Sequence, residues 1–302
     1  MKPVNHPDMS GTESAEASVR PGVVGAALTD TGRVRQKNED TVFFYQPADP
    51  VELAKYGTLA LVADGMGGAN GGRTASEMTS REVTQAYLAS KGEPTPALRR
   101  ALEIANRRVY RRSQKDEELT GMGSTCVVLV LKPPFAWAAW AGDSRLYLIR
   151  DGQIFQMTED HSVVNEMVRQ GLLTREEAFN HEDRNVVTRA LGTHPKVEVD
   201  VWPEPYPVRA GDRFLLCSDG LHDLIGGPEI LEMAGTGSVD AAAARLIDRA
   251  NSRGGSDNIS AILVDVAESE GTAGRDIRPT RDFVPENMKV PQGLGNSEKT
   301  YE

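Results

Sequence analysis

The chain has 302 residues, of which 39% are hydrophobic and 26% are charged, a composition typical of a soluble globular protein. Its net charge is −10, from 44 acidic and 34 basic side chains. This argues against a nucleic-acid backbone as the main partner, because phosphate-backbone binding needs a basic surface. The chain has no signal-peptide core and no apolar stretch near the roughly 20 residues that span a bilayer. We therefore expect a cytoplasmic protein that does not bind membranes.

Polar segments flank the predicted folded domain. Residues 1–21 lack an apolar cluster and any periodicity, and residues 268–302 are polar and contain several glycines and prolines. Neither segment can bury enough apolar surface to offset the entropy lost on ordering. The sequence therefore predicts a domain at 22–267 between two disordered tails.

The predicted elements begin with three strands, at 23–28, 42–45 and 58–63. Two helices follow, at 75–89 and 97–112, because their apolar residues recur at helical spacing rather than alternating. The many arginines of the second helix are interpreted as a solvated helix face.

Four further strands are predicted in the middle of the chain, at 125–131, 135–141, 146–149 and 154–157. Asp151-Gly152 separates the last two of them. An Asp-Gly pair between two alternating runs is a strong signal for a β-hairpin.

The polar, helix-rich segment 162–192 comes next, with a capping box predicted at Thr174. The domain is completed by a strand at 213–217, a helix at 239–252 and a strand at 259–266. Blocks of strands separated by helix pairs, without regular strand-helix alternation, predict the α+β class. Two packed sheets with helices outside them would accommodate these elements.

Four aspartates stand where an apolar, strand-like run meets a glycine-rich or polar turn: Asp64, Asp143, Asp219 and Asp257. Carboxylates at the ends of core strands can converge at one rim of a sheet, where they repel one another unless a cation lies among them. Any one of them alone is better explained as a turn aspartate that bonds its own backbone. Four in the same setting favour a metal site.

Several other kinds of site are excluded by their motifs. The glycine-rich run after Asp64 fits neither a dinucleotide-binding fingerprint nor a Walker loop. Cys126 and Cys217 lie in apolar runs, and neither has the arginine six positions later that a thiol phosphatase needs. The five histidines lack zinc-type spacing. The remaining option is an all-oxygen site, which suits Mg²⁺ or Mn²⁺.

More carboxylates and an arginine precede the second predicted strand. Asn38-Glu39-Asp40 stands just before it, and Arg35 lies a few residues upstream. The planar guanidinium group of arginine fits phosphate oxygens, so Arg35 could bind an anion held by the metal ions. Taken alone, it is better explained as a surface arginine paired with a nearby acid.

Seven short motifs occur in the order found in one known family. They are RQKNED (35–40), VADGMGG (62–68), GMGST (121–125), AGDSR (141–145), TEDHS (158–162), SDG (218–220) and SDN (256–258). Over roughly residues 22–267 the chain resembles the metal-dependent protein phosphatases of the protein phosphatase 2C family, most of all its bacterial-type members. The resemblance implies two antiparallel β-sheets flanked by pairs of helices, with metal ions at one end of the sandwich.

The resemblance also implies the ligands of the metal ions. Asp64 would bridge two ions, Mn²⁺ or Mg²⁺, and the carbonyl of Gly65 would bind one of them. Asp219 and Asp257 would hold the other. Asp143 matches an aspartate that binds a third ion, together with Asp219, in bacterial members.

Three more residues receive roles from the same resemblance. Asp40, and Glu39 as a further candidate beside it, would act through metal-bound waters, and Arg35 would bind the substrate phosphate. The implied reaction is in-line attack on phosphorus by a metal-activated hydroxide, without a covalent phosphoenzyme. The implied substrates are phosphoserine and phosphothreonine in proteins, including a serine/threonine kinase and its own substrates, and the implied state is a monomer.

The chain departs from part of the family at the residue after the Asp-Gly pair. Eukaryotic-type members have a histidine there, proposed as the general acid, whereas this chain has Met66. A metal-bound water is our first expectation for the proton source, and His161 is the second. The segment 162–192 matches the family's mobile flap, which lies beside the active site and could contact the substrate.

Two other functions remain open at this stage. A catalytically weak phosphoprotein-binding module could keep the same fold, although the loss of a metal-binding aspartate that would favour it is not seen. A hydrolase of small phosphorylated metabolites would use the same residues, and only a comparison of substrates separates it from a protein phosphatase.

Overall fold

The computed structural model describes residues 18–20, 22–67 and 71–267. Within these residues the chain forms thirteen strands, eight α-helices and one 3₁₀ turn. None of the helices in this described part is long and apolar enough to cross a membrane.

Most of both predicted tails lies outside the described residues, namely 1–17 with residue 21, and 268–302. Part of the N-terminal tail is described as a short strand, Ser18–Arg20. The disorder and the domain boundaries expected from the sequence stay predictions.

The strands and helices alternate in blocks along the chain. The strands are β1 (Ser18–Arg20), β2 (Val23–Asp30), β3 (Asp40–Tyr45), β4 (Thr58–Met66), β5 (Gly123–Ser124), β6 (Cys126–Lys132), β7 (Phe135–Ala141), β8 (Arg145–Arg150), β9 (Gln153–Gln156), β10 (Asp200–Val201), β11 (Tyr206–Pro207), β12 (Arg213–Cys217) and β13 (Ile259–Val266). The helices are α1 (Pro50–Tyr56), α2 (Gly71–Leu88), α3 (Pro94–Ser113), α4 (Val163–Arg169), α5 (Arg175–Phe179), α6 (Asp219–His222), α7 (Gly227–Ala234) and α8 (Val239–Ser252).

The strands form two sheets, and every pairing recorded between the described strands is antiparallel. One sheet has the order β1-β2-β13-β12-β8-β9. The other has the order β10-β7-β6-β4-β3, with β11 also paired to β7 and β5 to β4. Neither order follows the chain, so the domain is held together by pairings between distant segments.

After Arg213, every residue of the strand β12 is apolar. Successive side chains of a strand point to opposite faces of the sheet. Phe214 and Leu216 accordingly lie in the core between the two sheets, whereas Leu215 and Cys217 lie in the core beneath the helices. All four are fully buried because the strand is covered on both faces.

Helix pairs cover the outer face of each sheet. In α3, Leu98 and Leu102 are four residues apart and pack with α2 against the seven-stranded sheet. In α8, Leu246 and Ala250 have the same spacing and pack with α7 against the six-stranded sheet. The four layers confirm the predicted α+β architecture of two packed antiparallel sheets flanked by helix pairs.

Two local predictions are confirmed. Asp151 and Gly152 have φ angles of 53° and 70°, and the turn that they form joins β8 to β9. At the start of α5, Thr174 and Glu177 form the expected capping box, in which each side chain bonds the backbone of the other residue.

Among the strands that are longer than predicted, two have extra residues that belong to the site. The strand expected at 42–45 begins at Asp40, and the strand expected at 58–63 continues to Met66. Both Asp40 and Asp64 therefore lie inside a β-ladder rather than in a loop beside it.

Candidate active site

The pairing of β3 with β4 brings the first two carboxylates together. Asp40 lies directly opposite Asp64 in the antiparallel register. The backbone of Asp64 is held by Thr125, whose amide donates to the Asp64 carbonyl at 2.8 Å. The hydroxyl oxygen of Thr125 accepts from the Asp64 amide at 3.0 Å and lies 2.7 Å from the hydroxyl oxygen of Ser144. Strand pairing thus fixes both aspartates at one rim of the seven-stranded sheet.

The facing sheet contributes three more aspartates at the same rim. Asp219 follows β12, Asp257 precedes β13 and Asp143 precedes β8. Because β12 runs antiparallel to both neighbours, its end adjoins the starts of the other two strands. Gly220 permits close contact there, since a Cβ atom on it would stand 2.1 Å from the carbonyl oxygen of Asn258. A side chain at this position would push Asp219 away from Asp257.

Burial dominates the electrostatics of this rim. It raises the pKa of Asp64, Asp143 and Asp219, and the charges of neighbouring aspartates raise each of these pKa values further. Burial also raises the pKa of Asp40 to about 7, although hydrogen bonds from two serines oppose the shift. These carboxyl groups therefore favour a proton unless another positive charge lies among them.

Two buried carboxyl oxygens at the rim have no hydrogen-bond partner among the described residues, namely Oδ1 of Asp40 and Oδ1 of Asp219. Asp257 differs, because both of its oxygens are engaged. Its Oδ2 accepts from the Arg35 guanidinium at 2.6 Å, and its Oδ1 accepts from the Asn258 amide at 2.8 Å. Buried acceptors without donors are rare in folded proteins and indicate a site for a ligand or ion.

These observations test whether the residues fit a metal ion. Within the described part of the chain, no group of three or more His, Cys, Asp or Glu side chains has the arrangement of a formed metal site. The carboxylates nevertheless meet at one rim, close enough to raise one another's pKa. Their donor type, all oxygen, and their uncompensated charge fit a hard divalent cation.

The glycine-rich run allows three backbone segments to meet at the rim. A Cβ atom on Gly65 would stand 2.0 Å from the carbonyl oxygen of Gly72 and 2.7 Å from that of Glu39. The carboxylate of Glu39 lies equally close to Gly72, at 2.8 Å from the position of a Cβ atom there. Gly65 and Glu39, both expected at the metal site, are thus immediate neighbours.

The loop that carries Arg35 is held by Asn258. The side-chain amide of Asn258 donates to the carbonyls of Thr31 and Lys37 at 2.9 and 3.0 Å, and its Oδ1 accepts from the amide of Glu39 at 2.8 Å. Asn258 therefore has a structural role in this loop. Its bonds bring the half-exposed guanidinium of Arg35 to the rim, where it contacts Asp257.

Comparison with known families identifies the family of this chain. A family model described as protein phosphatase 2C matches residues 36–264. The chain belongs to the protein phosphatase 2C family. The serine/threonine phosphatase stp of Listeria welshimeri is 36% identical to this phosphatase over 243 residues, which cover 78% of the chain and 93% of that relative.

Solved structures agree with this assignment. The Mycobacterium tuberculosis serine/threonine phosphatase PstP/Ppp has a TM-score of 0.73 and 34% identity, and covers 82% of this chain and 100% of its own. The catalytic domain of PstP in complex with two manganese ions has a TM-score of 0.70 and 33% identity, with the same coverage. The chain is a metal-dependent serine/threonine protein phosphatase of the bacterial type, and the alternative of a binding module is not favoured.

His161, the second expectation for the proton source, is engaged elsewhere in this phosphatase. The residue is 6% exposed. Its Nδ1 accepts from the amide of Gly142 at 3.1 Å, so its Nε2 carries the proton and faces the carboxylate of Asp200 at 3.1 Å. Because both ring nitrogens have partners, His161 supports the loop before Asp143 and is not open to a substrate.

The sequence did not single out His222, which also supports that loop. Its Nε2 lies 3.0 Å from the carbonyl oxygen of Asp143, and its Nδ1 lies 3.3 Å from a carboxylate oxygen of Asp223. The only signal available was its position on the short helix that begins with Asp219. Asp223 places a carboxylate beside this histidine.

A groove of about 900 Å³ leads from the rim along the segment 162–192. Its lining includes Asp143 at the rim and three arginines of the segment, Arg169, Arg175 and Arg184. The segment is anchored at its base by a hydrogen bond from the amide of Val163 to the carbonyl of Val186. It is therefore in place to contact a peptide bound at the rim.

Proposed function

We propose that the carboxylates at this rim hold two divalent cations, Mn²⁺ or Mg²⁺, and that Asp64 is the ligand shared between them. The carbonyl of Gly65 would complete the binding of one ion. Asp219 and Asp257 would hold the other. Asp40 would act beside them through water, with Glu39 as a further candidate for the same role.

The observation that carries this proposal is the uncompensated charge of the rim. Buried carboxyl groups with raised pKa values stand together there, and two of their oxygens lack a hydrogen-bond donor among the described residues. Cations at this position would stabilise the charged carboxylates and occupy the free oxygens. The two manganese ions of the PstP catalytic domain support the number.

We assign Asp143 to a third, weaker ion that it would share with Asp219. Asp143 is 5% exposed, and burial and the nearby charge of Asp219 raise its pKa. His161 holds the amide of the preceding residue, Gly142, and His222 bonds the carbonyl of Asp143. A carboxylate so firmly placed at the mouth of the groove would bind an ion next to the incoming peptide.

The divalent ions, when bound, supply a Lewis acid for the phosphoryl group and lower the pKa of a water that attacks phosphorus. Arg35 binds the phosphate itself. Its side chain is 53% exposed and pairs with Asp257, and its planar guanidinium can donate two parallel hydrogen bonds to phosphoryl oxygens. There it orients the phosphate and stabilises negative charge on the equatorial oxygens.

The protein itself offers no thiol as a nucleophile. Burial raises the pKa of Cys217 to about 12 and that of Cys126 further still, so both thiols stay protonated. Since His161 is also engaged, we assign the proton of the leaving serine or threonine to water at the site. Direct attack by water, without a covalent phosphoenzyme, is the reaction that these residues support.

The substrates are phosphorylated proteins, as the names of the relatives indicate. We infer that they include a serine/threonine kinase and the proteins that it phosphorylates, and that the enzyme acts as a monomer. Both inferences rest on the family resemblance.

Release of phosphate from a phosphothreonine peptide tests the proposed function. We expect turnover with Mn²⁺ and none with excess EDTA, and a return of activity when Mn²⁺ is added back. Equal turnover in EDTA would contradict the metal-dependent reaction. A small ester such as p-nitrophenyl phosphate in the same assay separates a protein phosphatase from a metabolite hydrolase, because only the former prefers the peptide.

A further inference from the structure

The carboxylate of Asp40 is held by hydroxyl groups from the opposite sheet. Asp40 belongs to β3 of the seven-stranded sheet, whereas Ser260 lies in β13 and Ser218 directly follows β12 of the six-stranded sheet. The two hydroxyls donate to Oδ2 of Asp40 at 2.6 and 2.7 Å. Both serines are fully buried, so water does not compete for these bonds.

The two oxygens of Asp40 are therefore in different environments. Oδ2 accepts both serine hydroxyls, whereas Oδ1 is buried and has no partner among the described residues. A rotation that exchanged the oxygens would break and remake both bonds at once. The serines thus select one orientation of the carboxylate and leave one oxygen free at the rim.

A closed set of hydrogen bonds keeps the serines themselves in place. The Asn38 side chain accepts from the Asp40 amide at 3.1 Å and donates to the Thr29 hydroxyl at 2.8 Å. The Thr29 oxygen lies 2.9 Å from that of Ser260, and the Ser260 amide donates to the Ser218 hydroxyl at 3.0 Å. Because Thr29 already accepts from Asn38, its own proton can go to Ser260, whose proton goes to Asp40. The hydroxyl donors thus run from Thr29 through Ser260 to the carboxylate.

We propose that Ser218 and Ser260 are positioning residues for the metal centre, because they fix Asp40 with its free oxygen directed to the ions or their waters. The inference rests on the proposed role of Asp40 at that centre. Residues that orient a ligand through hydrogen bonds commonly change metal affinity by about 10- to 100-fold when they are replaced. Neither serine has to touch an ion for this effect.

A purely structural role is the competing explanation, because the same bonds join the two sheets. Loss of a joining bond would lower the thermal stability of the metal-free protein and leave its affinity for Mn²⁺ unchanged. Loss of a positioning bond would weaken Mn²⁺ binding in protein that is still folded. Metal affinity and metal-free stability therefore have to be measured on the same variants.

The experiment is titration calorimetry of Mn²⁺ into the full chain, for the parent protein and for Ser218→Ala and Ser260→Ala. We expect about tenfold weaker binding, or more, in each variant. Ser218→Thr, which keeps the hydroxyl, should bind more tightly than Ser218→Ala. Ser113→Ala is the matched control, because Ser113 is 2% exposed and its hydroxyl bonds a helix carbonyl, that of Tyr110, at 2.8 Å. Thermal unfolding in EDTA monitors the fold.

An Asp40→Ala background separates the two explanations further. If the serine acts through Asp40, Ser218→Ala should cause no additional loss of Mn²⁺ affinity in that background, whereas independent effects would add. Parent-like affinity in folded Ser218→Ala or Ser260→Ala would overturn the inference, as would additive losses. If Ser260→Ala does not fold, Ser218→Ala alone carries the test.

The same data distinguish failure of this inference from failure of the proposed function. If Asp40→Ala weakens Mn²⁺ binding and the serine variants do not, only the positioning role is wrong. If Asp40→Ala binds Mn²⁺ as the parent does, the role of Asp40 at the centre is wrong, and the positioning role falls with it.

Discussion

The carboxylates at the two ends of the six-stranded sheet have opposite electrostatic environments. At the end away from the active site, Arg150 bonds both oxygens of Asp212 at 2.6 and 2.7 Å. Arg213 likewise bonds both oxygens of Asp265 at 2.5 and 2.7 Å. Each acid there is neutralised by an arginine in a two-bond geometry that is among the strongest that side chains form.

At the active-site end of the same strands, the aspartates face one another instead. Burial and mutual repulsion raise the pKa values of Asp143 and Asp219, and Oδ1 of Asp219 has no hydrogen-bond partner among the described residues. Arg35, whose side chain is half-exposed, pairs with Asp257. Acidic side chains occur at both ends of the sheet, so their number does not identify the functional end. The functional end is the one at which buried carboxylates lack a positively charged partner.

The largest expected effect is the loss of turnover in Asp64→Asn. The amide cannot serve as an anionic ligand between two cations, so we expect no phosphate release from a phosphothreonine peptide even at saturating Mn²⁺. The circular dichroism spectrum should match that of the parent, because Asp64 lies at the rim and its backbone bonds to Thr125 remain. Activity comparable to that of the parent would refute the assignment of Asp64.

The same substitution at the opposite end should damage stability instead. Asp212→Asn leaves the guanidinium of Arg150 without its negatively charged partner. Breaking a buried ion pair in this way lowers the free energy of unfolding by about 3 kcal/mol or more. Chemical denaturation in EDTA measures this. Asp116→Asn is the control, because its pair with Arg112 is exposed and should contribute less than about 1 kcal/mol. A stability change as small as that of the control would show that the pair at Asp212 is not important.

The next effect is on substrate binding, in Arg35→Ala. We expect about a tenfold higher KM for a phosphopeptide and a smaller change in kcat, because the guanidinium binds the phosphate in the ground state as well as the transition state. Steady-state kinetics at saturating Mn²⁺ separates the two constants. The exposed neighbour Arg33 serves as the control, and Arg33→Ala should keep the parent KM. An unchanged KM in Arg35→Ala would count against phosphate binding.

The smallest effect is on the stability of the metal-free protein in Asp219→Asn. Removing one of several like charges relieves repulsion at the rim, so in EDTA we expect the stability to stay the same or to rise by up to about 1 kcal/mol. In Mn²⁺ the variant should lose the extra stability that the parent gains from binding metal. A marked loss of stability in EDTA would mean that Asp219 is already compensated and that the two ends do not differ.

The sequence predicted which aspartates meet at the rim of the sheets better than it predicted how they are arranged there. Asp64, Asp143, Asp219 and Asp257 were recognisable because each stands at the end of an apolar run, and the antiparallel sheets bring those ends together. Asp40 was placed before its strand, whereas it lies inside β3 and opposite Asp64. The sequence alone does not show whether a polar residue at the end of an apolar run still pairs with the neighbouring strand.

Other features lie beyond what local patterns contain. Ser218 and Ser260 are 178 and 220 positions from Asp40 in the sequence. Only the packing of the two sheets brings them to Asp40, so no local pattern reveals their role. The strands β10 and β11 have two residues each, too few for any alternation to be seen. The helix α7 begins at the second residue of Gly226-Gly227-Pro228 and has only eight residues, which is less than a periodic pattern needs.

The most direct measurement of the central claim is the number of Mn²⁺ ions that the full chain binds, determined by titration calorimetry for the parent and for Asp64→Asn. The account predicts two tightly bound ions in the parent and the loss of both in the variant, because Asp64 is their shared ligand. Two tightly bound ions in Asp64→Asn, or none in a folded parent, would contradict it.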